Sequence, residues 1–464
     1  MTNSTAQQDA RRPGEDEFML EPVPRGARRS TVGIAAIWIG FGFVVTGLVV
    51  GGTLAGQGTG VGMPFDQAMG AIAVGELLLF ALTILLGIPA MRTGLNLSLL
   101  SKYSYGSKGF ALPMAVMGLL TLGWFASILG MIGDIWGGWL GNPTGVTVID
   151  PAWFGKTGAP VTLEVLASCL VFGALFTWTA YRGIAAIERV ALPVAPFVLV
   201  VAVWVGGAII AESGGFGAMV DKSHAVSGLG FGAGITTVVG AWIAGAIMGV
   251  DIFRFAKHLR AVLIGGAACF ILTNPVLNVI GYAASVASGD FNFVNWMYRS
   301  GVFLSIIGVL VWTTSLWTTN NSELYCNALY TGPVLDAFGV KAKRTKLILI
   351  AGVVGTILGS AAFYQLFFAD FINILGAAFV PLAGPIIVDF YFTRRGQYGA
   401  SPHAQAPVRW PGVISFAAGA ALGLVFQYGV ALPGGFPAGI AALLITMALH
   451  ATLHYALRAT RTAN

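Results

Sequence analysis

Twelve stretches of about twenty apolar residues follow one another along the 464-residue chain. They fall at approximately 31–51, 67–90, 110–137, 162–180, 189–211, 230–250, 259–287, 302–330, 346–363, 366–393, 410–428 and 434–457. A helix of about 20 residues crosses a hydrocarbon core of ~30 Å. In lipid every backbone polar group must be satisfied internally, so spanning segments are helices or closed barrels. These runs lack the alternation of a barrel strand, which leaves an all-α polytopic membrane protein. Only 9% of the residues are charged and 56% are hydrophobic, against roughly 25% charge in a soluble chain, so lipid and protein must solvate most of it. The 64 glycines suit close helix contact in a bilayer. Cys169, Cys269 and Cys326 lie singly in apolar runs, which points to buried thiols rather than disulfides or a zinc site.

The net charge of +6 does not indicate nucleic acid, because the basic residues sit between the spans in an ordered way. With the N-terminus inside, seventeen Lys and Arg between Arg92 and Arg461 fall in inside connections or the C-terminal tail. The outside connections hold only Lys156, Lys222 and Arg299. That bias sets orientation and places both termini in the cytoplasm, with the protein in the cytoplasmic membrane. Residues 1–30, with Arg11, Arg12, Asp16, Glu17 and the Pro-rich turn Pro22-Val23-Pro24, read as a cytoplasmic tail. One transmembrane domain follows over 31–457, and 458–464 form a short tail. The segment Leu95–Gly109 is amphipathic and too short to span, so it is expected at the inner surface. Five spans over 31–211 and five over 230–393 leave two at 410–457. Because five is odd, the second set starts with inverted orientation, as in an inverted-repeat transporter.

Spans 1 and 6 are glycine-rich at their centres, with Gly40, Gly42 and Gly47 in one and Gly240, Gly245 and Gly249 in the other. Weak centres at corresponding positions point to a transporter's binding site; tight small-residue packing is the other reading. Trp124 and Trp242 lie at mid-depth, although tryptophan in membranes prefers the interfaces, and a buried indole N–H needs a partner. Each alone fits a core residue, and together they suggest two planes that sandwich a flat ring. Span 8 carries Ser315-Leu316-Trp317-Thr318-Thr319-Asn320-Asn321-Ser322-Glu323. So many polar groups at bilayer depth should face a cavity or ion, and paired Thr hydroxyls with carbonyls form a hard-oxygen set suited to sodium. Hydrogen bonding between helices is the alternative. Glu323 reads equally as a substrate contact, a proton site or half of an ion pair. Glu76 reads as a structural carboxylate, and Asp251 with Arg254, like Asp389 with Arg394 and Arg395, as local pairs at the inner boundary. None of the five histidines shows a ligand spacing.

Several ordered landmarks resemble the nucleobase–cation symporter family, the purine–cytosine permease type that includes cytosine, uracil, allantoin and hydantoin permeases. They are Pro22-Val23-Pro24, Gly51-Gly52-Thr53-Leu54, Thr93-Gly94-Leu95, the run from Tyr103 to Gly109 (YSYGSKG), Gly123-Trp124-Phe125, Asp251-Ile252-Phe253-Arg254-Phe255, Trp317-Thr318-Thr319-Asn320 and Ile386-Ile387-Val388-Asp389-Phe390-Tyr391. The resemblance implies twelve transmembrane helices, a five-plus-five inverted repeat of the leucine-transporter type plus two C-terminal helices, with alternating access around a midplane site. It implies that Trp124 and Trp242 stack on the substrate and that Thr318 and Thr319 give hydroxyl ligands to sodium. Main-chain oxygens of Gly40, Phe43 and Ser315 would complete the shell. Thr121, Gly123, Ser315, Asn320 and Glu323 are the further substrate-site candidates. Relatives that bind cytosine present amides or hydroxyls around the ring, whereas this chain offers Thr121, Ala244, Gly245 and Ser315 there, and Glu323 adds a carboxylate suited to adjacent N–H donors.

The expected function is import of a nucleobase or related planar heterocycle by cation symport, with Na+ as coupling ion and H+ as the alternative. A proton-coupled permease for allantoin, a hydantoin or a pyrimidine vitamin precursor is a second reading, and an amine or amino-acid transporter of the same fold a third. No cofactor motif, enzyme motif, channel filter, nucleic-acid partner or obligate protein partner is evident; the bilayer and a small ring are the expected partners. The charge bias predicts that green fluorescent protein fused after Asn464 fluoresces while alkaline phosphatase fused there is inactive. Truncation fusions after Lys222 should behave in the opposite way.

Overall fold

The computed structural model describes residues 18–57, 60–156, 158–182, 184–290, 293–398 and 401–463. Residues Arg11 to Glu17, read above as part of a tail, lie outside them. The first apolar run forms two helices, α1 (Thr31–Gly42) and α2 (Thr46–Leu54), bent by 51°. Next come α3 (Phe65–Thr93), a short α4 (Leu97–Tyr105), α5 (Ala111–Leu140) and α6 (Leu163–Tyr181). Helix α7 (Ile184–Glu212) turns by 80° into α8 (Gly215–Ser223) at Gly214, whose φ of 102° suits glycine. The second half holds α9 (Phe231–Phe253), α10 (Leu259–Ala267), α11 (Asn274–Ser288), α12 (Phe293–Arg299), α13 (Val302–Ala337), α14 (Arg344–Ser360), α15 (Phe363–Ile374) and α16 (Ala383–Ile387). Two last helices, α17 (Trp410–Tyr428) and α18 (Ala438–Ala463), close the chain.

Among the described residues nine helical stretches are long and apolar enough to span, and the two bent pairs bring the number to eleven. The element at the remaining predicted span, α14, has 17 residues, about 26 Å of helix at 1.5 Å per residue. Irregular turns have local causes. A π-helical stretch at Ala268–Thr273 immediately precedes Pro275, which has no N–H and crowds the carbonyl four residues back. A second, Leu375–Phe379, precedes Pro381, and a third, Val388–Thr393, follows Pro385. The connection after α5 folds into a two-stranded antiparallel sheet, β1 (Thr147–Ile149) and β2 (Val161–Thr162).

The packing has the symmetry expected of two repeats. Counting spans as α1–α2, α3, α5, α6, α7–α8 and then α9, α10–α11, α13, α14, α15–α16, the exchange of each span with the one five later preserves the contacts. Span 1 packs on span 7 through α2 and α11, and span 2 on span 6 through α3 and α9. Spans 3 and 8, and spans 4 and 9, meet their own counterparts, and the 5–8 contact is matched by 10–3. Helices α17 and α18 pack mainly on each other and on the segment Leu375–Ile387.

Of the two readings open for the glycines of span 6, the structure shows close packing: α9 runs unbroken through Gly240, Gly245 and Gly249. There the glycines serve contact, Gly240 lying against Ile372 and Gly376 and Gly249 against the Trp38 ring. The amphipathic segment, expected at the inner surface, is enclosed by protein, with all nine residues of α4 buried. Its N-terminus is capped from two sides, with Asn96 accepting from Leu99 N at 2.8 Å and Asp251 from Leu97 N at 3.0 Å. Burial also pushes the Lys102 ammonium below its ordinary range, partly offset by the charge of Asp336, and its nitrogen sits 4.8 Å over the Phe110 ring.

The α2–α11 contact is made backbone to backbone. A Cβ on Gly51 would collide with the Asn278 carbonyl and the Tyr282 amide, and one on Gly281 with Leu48. Gly51→Val should therefore lose roughly 1–3 kcal/mol through overpacking, read as a lower unfolding temperature in detergent. Gly26→Ala, with nothing within 4 Å of the added carbon, should leave it unchanged.

Candidate substrate and ion site

Helix α1 stops at Gly42, and Phe43 takes φ −84° and ψ 58°, outside the helical region. Its last carbonyls therefore lose their intrahelical donors; Phe43 N still closes on Ile39 O at 3.1 Å, and Gly40 lies on that last turn. The break is held from α13. Ser315 Oγ donates to Phe43 O at 3.4 Å and accepts from Val45 N at 3.4 Å. One turn along, the hydroxyls of Thr318 and Thr319 both donate to Ser315 O, at 2.8 and 3.4 Å. Phe43, Ser315, Thr318 and Thr319 are all buried, with Ser315 Oγ on Phe43 O and the two threonine hydroxyls on Ser315 O. These are uncharged hard oxygens, the donor type a monovalent hard cation takes. A hydrogen bond joins Phe43 to Ser315, Thr318 and Thr319 lie one turn along α13, and Gly40 lies on the last turn of α1.

Trp124 on α5 and Trp242 on α9 are both buried, and neither indole N–H has a hydrogen-bond partner. Each ring plane is fixed by perpendicular neighbours. Trp124 meets Phe368 at 5.9 Å and Phe371 at 5.8 Å, and Trp242 meets Phe41 at 5.4 Å and Phe270 at 5.9 Å. Gly123 allows this on α5, since a Cβ there would press into the Phe371 ring at 2.6 Å. An orphaned N–H at membrane depth is costly, and two of them on neighbouring helices are strained in the same sense. Asn320 donates to Phe125 O at 3.4 Å, beside Trp124 in the chain, and its Oδ1 has no donor. Glu323 is buried with an unpartnered Oε2.

Other sequence candidates are placed differently. The Thr121 hydroxyl donates to Met117 O and Gly118 O and accepts from Asn327 at 3.0 Å, so it ties α5 to α13. Asn321 and the Trp317 indole both bond Thr179, joining α13 to α6. The Asp251 carboxylate takes Leu97 N and Tyr330 Oη, whereas Arg254 bonds the Asp251 carbonyl and Phe18 O. Asp389 does pair with Arg394, at 3.6 Å, but also with Arg409 at 3.4 Å and faces His450 at 3.7 Å. His450, within α18, is fully buried. Sequence reasoning also passed over Asn274 and Asn278, whose spacing of four puts both on one face of α11, where both bond Glu76.

Over residues 22–448 the chain matches the pattern of a family described as permease for cytosine/purines, uracil, thiamine, allantoin. It is 27% identical over 412 residues to the cytosine permease of Escherichia coli (strain K12), covering 88% of this chain and 89% of that one. Among solved structures it is similar to the inward facing conformation of Mhp1, with a TM-score of 0.75, 20% identity and coverage of 95% and 93%. It is also similar to Mhp1, a nucleobase-cation-symport-1 family transporter, in a closed conformation with bromovinylhydantoin bound, with a TM-score of 0.72, 20% identity and coverage of 92% and 93%. Those likenesses carry the leucine-transporter type of fold. The break in span 1, the polar run of α13 and a match across nine-tenths of the chain lead to one conclusion: this protein is a multi-pass membrane permease of the nucleobase–cation symporter family.

Proposed function

We propose that this permease imports a nucleobase or a related planar heterocycle across the cytoplasmic membrane by sodium symport, with both termini cytoplasmic. The observation that carries the reading is the oxygen cluster at the α1–α2 break. A cation there would bind the freed end of α1 and the Ser315 turn of α13 at once. Its affinity would therefore depend on how those two elements are held, and a ligand that distinguishes two arrangements shifts their populations. Gly40 O, Phe43 O and Ser315 O would supply main-chain oxygens, and Thr318 and Thr319 their hydroxyls.

The substrate ring would lie against Trp124 and Trp242, a contact worth ~1–3 kcal/mol per base where aromatic stacking has been measured. Ring acceptors would satisfy the indole N–H groups. Asn320 Oδ1 would accept from a ring N–H, Gly123 keeps the approach to Trp124 open, and Ser315 links this site to the ion. Thr121 reaches a ligand only if it releases Asn327. Relatives named for cytosine, purine–uracil, allantoin and hydantoin transport favour a flat ring over a zwitterion or amine. A second reading, proton coupling through Glu323, has its support in the unpartnered Oε2 of that buried acid.

The test is thermal stabilisation of the purified protein by cytosine, uracil, hypoxanthine, allantoin and substituted hydantoins, each with and without sodium. One ring should stabilise in sodium and far less in its absence. Trp124→Ala or Trp242→Ala should weaken that ligand by roughly tenfold or more. Thr318→Ala should raise the sodium concentration needed while sparing the fold. Uptake that continues unchanged without sodium would reject the ion assignment and move the coupling to Glu323.

A further inference from the structure

A second polar cluster lies in the bundle, apart from the oxygen set around Ser315. Glu76, in the interior of α3, is fully buried, as are Asn274 and Asn278 on α11. Both asparagine amides donate to the same carboxylate oxygen, Oε1, that of Asn278 at 2.8 Å. Three acceptors are then left without a donor: Glu76 Oε2, Asn274 Oδ1 and Asn278 Oδ1. Three orphaned oxygens around one carboxyl lack a hydrogen, and a proton on Oε2 supplies it, since a protonated carboxyl gains one O–H donor.

The surroundings favour a proton over a metal ion. The backbone of α2 closes directly over the cluster at Gly47, where a Cβ would be 3.1 Å from Asn274 Oδ1 and 3.3 Å from Asn278 Oδ1. Hard cations take about six oxygens, and the cluster offers four, two from Glu76 and one from each asparagine. No charged side chain among the described residues acts on the carboxyl; the titratable group that faces it is the Cys269 thiol on the π-helical stretch. Helix α2 has no titratable residue, Asp251 of α9 is occupied by Leu97 and Tyr330, Tyr282 of α11 donates to Met63 O, and Arg260 of α10 is exposed. An ionised carboxylate here would be a buried charge without a counter-ion, the costliest arrangement a membrane interior can hold.

We propose that Glu76, cradled by Asn274 and Asn278, is a proton-binding site of this transporter, separate from the cation site at Ser315, and that the proton clasps α11 to α3. Helix α2 moves with α11, because the two touch backbone to backbone at Gly51 and Gly281. Loss of the proton leaves a buried charge whose Oε2 has no donor beyond the two asparagine amides on Oε1, so deprotonation favours the entry of water and the parting of α11 and α2 from α3. The inference goes beyond the substrate and sodium reading and does not depend on it.

The experiment uses the full-length protein in lipid vesicles, with neither sodium nor substrate. Infrared difference spectra should show a protonated-carboxyl stretch that is absent in Glu76→Gln and that disappears as the pH is raised. Over the same pH interval, amide exchange of peptides from α11 should accelerate in the wild type. At matched alkaline pH it should stay at least tenfold slower in Glu76→Gln, with α17 peptides as the internal reference. If Glu76→Gln does not purify as a folded protein, Asn278→Leu serves, and should move the carboxyl band and its pH midpoint. A spectrum in which neither substitution alters any carboxyl band overturns the proposal, as does α11 exchange with the same pH dependence in wild type and Glu76→Gln.

Discussion

A helix that stops inside a membrane must hand its freed amides and carbonyls to other protein groups, because hydrocarbon accepts none of them. The turn between α1 and α2 meets that demand through one side chain. Ser315 takes the Val45 amide and gives its hydroxyl to the Phe43 carbonyl. Much else is arranged so that this exchange can occur. Gly42 and Gly47 leave space for Thr273 and Asn274 of span 7 to press against the broken segment, and the next turn of α13 adds two hydroxyls on the Ser315 carbonyl. The polarity that makes α13 expensive in lipid is the polarity that makes the break affordable.

The two halves share a contact pattern and differ in one respect that matters. Span 1 is broken and its counterpart α9 is continuous, so the twofold relation is obeyed by packing and violated by backbone. Among the described residues of these two spans, carbonyls freed by a helix break are therefore found in span 1 and not in α9. On the other side α9 presents an intact helix whose contribution is a side chain, Trp242. At one end of the bundle, residues 18–29 sit under the ends of several spans. Arg28 bonds Met91 O, Arg29 N bonds Phe255 O, and Arg254 reaches Phe18 O. Close by, Arg409 bonds Tyr103 O and pairs with Asp389, which secures the connection between α16 and α17 to α4.

The spans and their order were legible because apolar runs of helical length have few other uses. The hydroxyl run of α13 was legible because polar residues in hydrocarbon require a reason. Glycine content was a poor guide to unwinding: it reads alike for the break at Phe43 and for α9, where the same residues admit the Trp38 ring and Gly376. What separates them is whether a partner such as Ser315 waits to receive the freed groups, and that partner lies 270 residues away. The burial of α4 was hidden for a similar reason. Its amphipathic pattern suits an interface, and the elements that enclose it, α9, α13, α16, α17 and the turn Pro402–Ala404, lie far along the chain. The Asn274–Asn278 pair had a visible spacing, but its meaning depended on Glu76 facing it from α3.

The distance along the chain between Val45 and Ser315 also has a meaning in time. Translation proceeds at about 5–20 residues per second, so on the order of tens of seconds separates the emergence of the broken helix from that of its receptor. Through that interval the first half resides at the translocon or in the bilayer with an unpaired turn. Until α11 and α13 arrive, water, the insertion machinery or a provisional straight helix has to satisfy it. The break in span 1 is thus sealed last, by the half that inserts second. A chain arrested before α13 would leave a defect at the place where the finished protein has the Ser315 contact.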